Sequence, residues 1–291
     1  MTLLSNGKVL IVGGWPHITD YGVAAAEVYD PSTGSWTPTG SLNTGRAGIT
    51  PILLPNGKVL VAGGLTCCGY FTFASAEVYD PSTGRWTYTE DMRTPRYDAA
   101  VILLPNGKVL VAGGAVFGEV FSSAEVYDPL TEHWTFTGSM SIPRYAGVPI
   151  LLDDGRVLVT GDDPSGPSSG AEIYTPVLGT WAPTASMNVA RSSHTATLLP
   201  NGKVLVTGGY ANVNEQVQIH NSAELYDNVA VVGGAVTGFQ PRRVQCTNRT
   251  TGQTVVIAHM ADGVTSWDCA AAGLVVHPGD RIHLEINGRV E

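Results

Sequence analysis

With 291 residues, 43% of them apolar, the chain is long enough to bury a large core and is not a disordered polypeptide. Sixteen Lys and Arg against 25 Asp and Glu give a net charge of −9, which argues against a nucleic-acid partner because phosphate binding needs a basic face. No apolar run approaches the roughly 18 residues of a membrane span, and the opening MTLLSNGKVL lacks the charged region and apolar core of a signal peptide.

The first element is LLSNGKVLIVGG at 3–14. It returns as LLPNGKVLVAGG at 53–64 and 103–114, as LLDDGRVLVTGD at 151–162 and as LLPNGKVLVTGG at 198–209. The turn glycines Gly7, Gly57, Gly107, Gly155 and Gly202 are 50, 50, 48 and 47 residues apart, a period that points to a propeller or array. Asn-Gly between short Leu- and Val-rich runs predicts a hairpin with a type I′ turn. Val59-Leu60-Val61-Ala62 has no polar alternation, so both faces of that strand are expected to be covered. Paired glycines end it, except in the fourth copy, where Asp162 stands second. Asp153-Asp154 replaces Pro-Asn there and reads as a turn variant, not as a carboxylate pair for acid–base work. The four lysines, Lys8, Lys58, Lys108 and Lys203, follow the turn and read as solvated.

A loop of variable length comes next, then AEVYDPSTG at 26–34 and 76–84, with variants AEVYDPLTE, AEIYTPVLG and AELYD at 124–132, 171–179 and 223–227. This predicts a third strand and a turn. Trp36, Trp86, Trp134 and Trp181 open a fourth strand. A linker with Arg46, Arg96, Arg144 or Arg191 leads into the small-residue strand that begins the next copy. Four short strands per period, with one Trp and one Tyr in each, describe a propeller blade.

The glycine pair, the Glu-x-Tyr-Asp turn, the tryptophan and the Met-x-x-x-Arg spacing at Met92, Met140 and Met187 resemble kelch repeats over about residues 1–227. The resemblance implies an all-β protein, a kelch-like β-propeller of about five four-stranded blades with both end blades incomplete. The first blade begins halfway through its first strand, and the fifth stops at Asp227 without a tryptophan strand. The favoured expectation is a piece of a longer secreted protein. The other two are a strand donated by Val229–Val236 and an open array that relies on a partner for its edges.

Residues 228–291 leave the repeat and read as a small β-sandwich-like module in which Cys246 and Cys269 form a possible disulfide. Cys67-Cys68 reads either as free thiols or as a vicinal disulfide, and no zinc spacing is present. Asn248-Arg249-Thr250 fits a glycosylation sequon. His259, His277 and His283 read as surface or strand residues.

Chemistry is expected where the copies stop agreeing, on the face shared by the 2–3 loops and the 4–1 linkers. The loops offer Trp15, His17, Tyr21, Tyr70, Phe71, Phe117, Asp163, Tyr210, Asn212 and His220. The linkers offer Tyr97, Tyr145 and His194. Arg46, Arg96, Arg144 and Arg191 have two readings. One is a ring for an acidic ligand, which kelch-like proteins often use; the preferred one is a structural pairing with Glu27, Glu77, Glu125, Glu172 and Glu224, which recur in register.

The leading expectation is a non-catalytic propeller that binds a glycan or a protein, without a cofactor, at an extracellular or cell-surface location suggested by low Lys and high Gly, Ser and Thr. One alternative is a relative of the galactose-oxidase group, a copper radical oxidase, or another kelch-fold sugar enzyme; no four-ligand constellation matches that family's two tyrosines and two histidines. A purely structural repeat segment is the other alternative.

Overall fold

The computed structural model describes residues 1–15, 22–66, 71–163, 166–213, 216–227, 233–235, 239–248, 253–258, 266–268 and 282–290; for Asn212, Val213 and the strands beyond residue 232 it describes the backbone. The chain divides into two compact units, Met1–Thr197 with Leu205–Glu224, and Leu198–Val204 with Leu225–Glu291.

Five antiparallel sheets follow the repeat. Blade one is β1 (Thr2–Leu3), β2 (Val9–Val12), β3 (Ala26–Asp30) and β4 (Ser35–Pro38), and blade two is β5 (Ile52–Leu53), β6 (Val59–Ala62), β7 (Ala76–Asp80) and β8 (Arg85–Tyr88). Blade three is built from β9 (Ala100–Leu103) and β10 (Val109–Ala112). A small loop hairpin, β11 (Ala115–Val116) with β12 (Glu119–Val120), precedes its outer strands β13 (Ala124–Asp128) and β14 (His133–Thr137). Blade four is β15 (Val148–Leu151), β16 (Val157–Thr160), β17 (Ala171–Thr175) and β18 (Thr180–Pro183). In blade five, β19 (Thr195–Leu198) and β20 (Val204–Thr207) are followed by the loop hairpin β21 (Tyr210–Val213) and β22 (Gln216–Ile219). The sheet then ends at β23 (Ala223–Tyr226), three-stranded among the described residues. The chain is all-β, and the blade sheets make up a β-propeller.

The hairpin turn differs from the type I′ expectation. Leu54 N–H donates to Lys58 O at 2.8 Å and Gly57 N–H to Leu54 O at 2.9 Å; only Gly57 is left-handed, at φ 81°. This is a three-residue loop, a type I turn closed by a left-handed glycine. Pro55 sets the first corner residue near φ −65°, which suits type I, and Asn56 Oδ1 accepts the Lys58 N–H at 3.1 Å instead of turning left-handed itself. Asp154 does the same for Arg156 N–H at 3.0 Å in blade four, as its reading as a turn variant requires. The lysines are only partly exposed and pair with the turn aspartate of their own blade, Lys8 with Asp30 at 2.9 Å and Lys108 with Asp128 at 3.0 Å.

The apolar core lies between blades. Leu4, Leu10, Val12, Ala26 and Leu42 of blade one pack on Val59, Val61, Tyr79 and Trp86 of blade two. The same positions recur between blades two and three and between three and four. Alternate residues of each inner strand therefore serve different neighbours, which is why VLVA needs no polar position. Each joint is closed by hydrogen bonds. Tyr79 and Tyr127 hydroxyls meet Thr39 and Thr89 at 2.7 and 2.9 Å, and Trp86 and Trp134 Nε1–H donate to Gly40 O and Glu90 O, both at 2.8 Å.

The second unit carries two further antiparallel sheets. One pairs β24 (Gly233–Ala235) with a short later strand; the other has β25 (Phe239–Asn248) at its centre, flanked by β26 (Thr254–Ala258). The partner of β24 is β27 (Ser266–Asp268), and the second flank of β25 is β28 (Ile282–Val290). Cys246 lies on β25 opposite Leu284 and Val255, while Cys67, Cys68 and Cys269 lie outside the described residues.

Candidate functional site

The linkers and the 2–3 loops do share one face, and short backbone ladders join them. Ala47 exchanges both backbone hydrogen bonds with Leu65, Tyr97 with Ala115, and Ser192 with Tyr210. The residue after Ala47, Tyr97, Tyr145 and Ser192 is left-handed: Gly48, Asp98, Ala146 and Ser193, at φ 64°, 48°, 50° and 51°. These turns step from blade to blade, with Asp98 N–H donating to Gly48 O at 3.0 Å and Ala146 N–H to Asp98 O at 2.7 Å. They form a rim from the first linker to the third.

Beneath the rim sit the four arginines, each no more than 1% exposed. Arg46 Nη1 donates to Gly63 O and Ser75 O at 2.8 and 2.7 Å, and Nη2 to Ser75 Oγ and Glu77 Oε1 at 3.0 and 2.9 Å. Glu77 also accepts the backbone N–H groups of Asn43 and Thr44 at 2.7 and 3.1 Å. Arg96 with Glu125 and Arg191 with Glu224 repeat the pattern at 3.0 Å. Burial pulls the Arg46 and Arg96 pKa values down, and the facing glutamates oppose it. These guanidinium groups are joints between blades, each reaching forward to the next blade's glutamate. They are not a ring open to an acidic ligand, which corrects that reading of Arg46, Arg96, Arg144 and Arg191. Phe73 and Phe121 cap two of them, 5.0 and 5.5 Å from ring centroid to Arg46 and Arg96. His220 takes the same sequence position before β23, donates its N–H to Gly209 O at 2.9 Å as Phe73 does to Gly64 O, and has a buried Nε2 without a hydrogen-bond partner.

Blades four and five depart from the pattern. In blades two, three and five the second glycine is crowded: a Cβ on Gly64 would stand 2.5 Å from Ile49 and 2.7 Å from Ala47 O. Where Ile49 stands after the first linker, the third has Gly147, and the side chain of Asp162 is accommodated. Asp162 is 2% exposed; its Oδ2 accepts Ser192 Oγ at 2.6 Å, and its Oδ1 has no hydrogen-bond partner among the described residues. Burial pushes its carboxyl pKa up, and the Ser192 bond opposes this. His194, 5% exposed, shares a 2.8 Å hydrogen bond between Nε2 and Thr160 Oγ1, while Nδ1 has no partner. Burial lowers its pKa, as does the charge of Arg191.

Tyr97, Tyr145 and Tyr210 are half-buried at this part of the rim. Burial raises the Tyr145 pKa, and the neighbouring Asp162, Tyr210, Tyr97 and Asp98 add to the rise. Tyr97 is raised by burial and by Asp98. Desolvation also raises the Asp98 carboxyl, although the residue as a whole stays exposed.

The structure thus brings together Tyr97, Tyr145 and Tyr210, with His194 in the same departure from the repeat. Asp163 is half-buried beside Asp162 and bridges to Gly166 through its backbone. Trp15, Phe71 and Phe117 stand exposed on separate loops. His17, Tyr21 and Tyr70 and the side chain of Asn212 lie outside the described residues. Asp98 and Ser192 were not singled out by sequence reasoning; Asp162 was, as the residue in place of the second glycine. Among the described residues no three His, Cys, Asp or Glu side chains converge as metal ligands. A cleft of about 450 Å³ lies elsewhere, between the hairpins of blades one and two, lined by repeated residues such as Asn6, Asn56, Lys58 and Asp80.

The Kelch motif family model matches residues 96–141, from the second arginine to the third linker. No curated protein matches the chain. Among solved structures, the one titled "Structure of YjhT" is similar with a TM-score of 0.62 at 16% identity, covering 78% of this chain and 82% of that one. At that identity the likeness is one of fold.

Proposed function

We propose that this kelch-repeat β-propeller is a non-catalytic binding protein whose rim at blades three to five takes a neutral, hydroxyl-rich ligand, a glycan. One observation carries the proposal. Tyr97, Tyr145 and Tyr210 are half-buried on adjoining segments of the rim; Tyr210 pairs through its backbone with Ser192, whose hydroxyl donates to the buried Asp162 carboxylate, and the other oxygen of that carboxylate has no hydrogen-bond partner among the described residues. Phenol rings offer flat apolar faces and hydroxyl groups, and Asp162 Oδ1 and His194 Nδ1 supply polar points in a dry setting. The arginines are already engaged with the next blade's glutamates, and the groups left over are phenolic and acidic, which disfavours an anionic ligand. An extracellular or cell-surface setting belongs to the same proposal, on the strength of the low lysine content.

Glycan and peptide arrays probed with the whole chain test it. Expected is glycan binding that Tyr145→Ala and Tyr210→Ala abolish while the unfolding midpoint stays near the parent's. Binding confined to peptides would replace the glycan with a protein ligand. Silence on both arrays would favour the purely structural role. Stoichiometric copper with peroxide release from sugars would favour the oxidase.

A further inference from the structure

Blade one has the same AEVYD strand as blades two and three, yet its forward set meets a different fate. Glu77 and Glu125 are fully buried, each held by an arginine and two backbone N–H groups of the preceding linker. Glu27 is exposed, and among the described residues it has no ion pair. Trp86 and Trp134 are 6% and 1% exposed and donate to a carbonyl of the preceding blade; Trp36 is 49% exposed, stacks only on Tyr29, and has no acceptor among the described residues. Ile11 is 42% exposed where its equivalents Val61 and Val111 are buried. Strand register puts Ile11 beside Glu27 and Tyr29 beside Trp36, so these groups share one face of the sheet.

We propose that this face of blade one is a docking surface for a further kelch blade, one with a Thr hydroxyl, a free backbone carbonyl and a linker arginine that reaches Glu27. The occupant's chemistry follows from the molecule itself, because the joints onto blades two and three answer this residue set in the same way, with Ala25 of blade one standing where those blades have Ser75 and Ser123. A charge-complementary Arg meets the Glu, Thr meets the Tyr, and a carbonyl meets the Trp. The chain's own last repeat does not carry these groups, since neither a Gly-x-Trp strand nor a Met-x-x-x-Arg linker follows Asp227 in the sequence. A second copy facing the first would set Glu27 against Glu27, which is not complementary.

The test appends a copy of residues 148–195 before Met1 of the whole chain, supplying a blade with its linker arginine. Acrylamide quenching of tryptophan fluorescence, compared with a Trp36→Phe version of each protein, reads the exposure of Trp36. Expected is a readily quenched Trp36 in the parent and a shielded one in the extended chain. Glu27→Gln should restore quenching in the extended chain while leaving the parent's unfolding midpoint unchanged. Two results overturn the proposal. One is a Trp36 as quenchable in the extended chain as in the parent. The other needs no extended protein: a Trp36 already shielded in the parent, with Glu27→Gln lowering its midpoint, means that the face is covered by the chain itself or by a second copy.

Discussion

The joint between blades one and two and the joint between blades three and four use the same residues to different degrees. In the first, Arg46 makes hydrogen bonds to three carbonyls, a serine hydroxyl and a glutamate, with the ion pair at 2.9 Å. In the third, Gly170 stands where Ser75, Ser123 and Ser222 stand elsewhere, and Arg144 approaches Glu172 only through Nε at 3.5 Å. Its Nη2 has no hydrogen-bond partner although it is buried. The loosened joint adjoins the blade that carries Asp162. Among the described residues the first joint leaves no guanidinium nitrogen without a partner, the second leaves Arg96 Nε, and the third leaves two nitrogens of Arg144, so the most polar groups are left over where the pattern gives way.

Substitutions can break or sharpen that contrast. The largest effect is expected from Glu125→Ala, which leaves Arg96 buried without its counterion; about 3–5 kcal/mol of stability should be lost in a denaturant titration. Glu172→Ala should cost less, about 2 kcal/mol, because the Arg144 contact is already long and part of the desolvation penalty is present in the parent. Equal losses would mean that the two joints are energetically alike. Gly170→Ser should add about 1 kcal/mol by giving Arg144 Nη2 the hydroxyl that Arg46 finds at 3.0 Å. A Cβ there meets only that guanidinium at 3.0 Å and Ser168 Oγ at 3.5 Å, both ends of side chains that can shift.

The smallest effect is one of pH. The folded His194 pKa lies below the exposed value of 6.5, so the unfolded chain takes up protons first. The stability this group contributes is full above about pH 6.5 and is lost as pH falls toward the folded value. Asp162 acts in the opposite sense. Its folded pKa is raised, so its ionised form weighs against folding at neutral pH, and that burden lifts as pH falls through the folded value toward 3.8. Asp162→Asn keeps an acceptor for Ser192 Oγ and should therefore stabilise the protein at pH 7. As pH falls below neutral, stability should then lack the compensating gain from Asp162 and show the decline left by His194 alone.

Most of the fold was legible because the chain states it five times. The Gly-Asn spacing, AEVYD and the tryptophans mark the strands, and the unbroken VLVA run announces a strand covered on both sides. The turn type was misread because Asn-Gly was weighed without Pro55, which fixes the backbone one residue earlier. The arginine joints were half legible. Register with the glutamates pointed to pairing, but that each arginine reaches forward is a fact of how blades pack, and packing is not written in spacing. The site was less legible still. Tyr97, Tyr145 and His194 stand out as positions where copies differ, whereas Asp98 and Ser192 matter only because the linker turns step onto one another around the rim.

Each arginine–glutamate joint links residues less than one period apart, Arg46 to Glu77 and Arg96 to Glu125, and the hydrophobic clusters likewise join only adjacent blades. Cooperativity is therefore local: each blade feels its neighbour and learns of more distant ones only through it, as in a one-dimensional chain of coupled units. Order can start at any joint and spread both ways, and damage at one joint divides the array into two stretches that unfold as separate units.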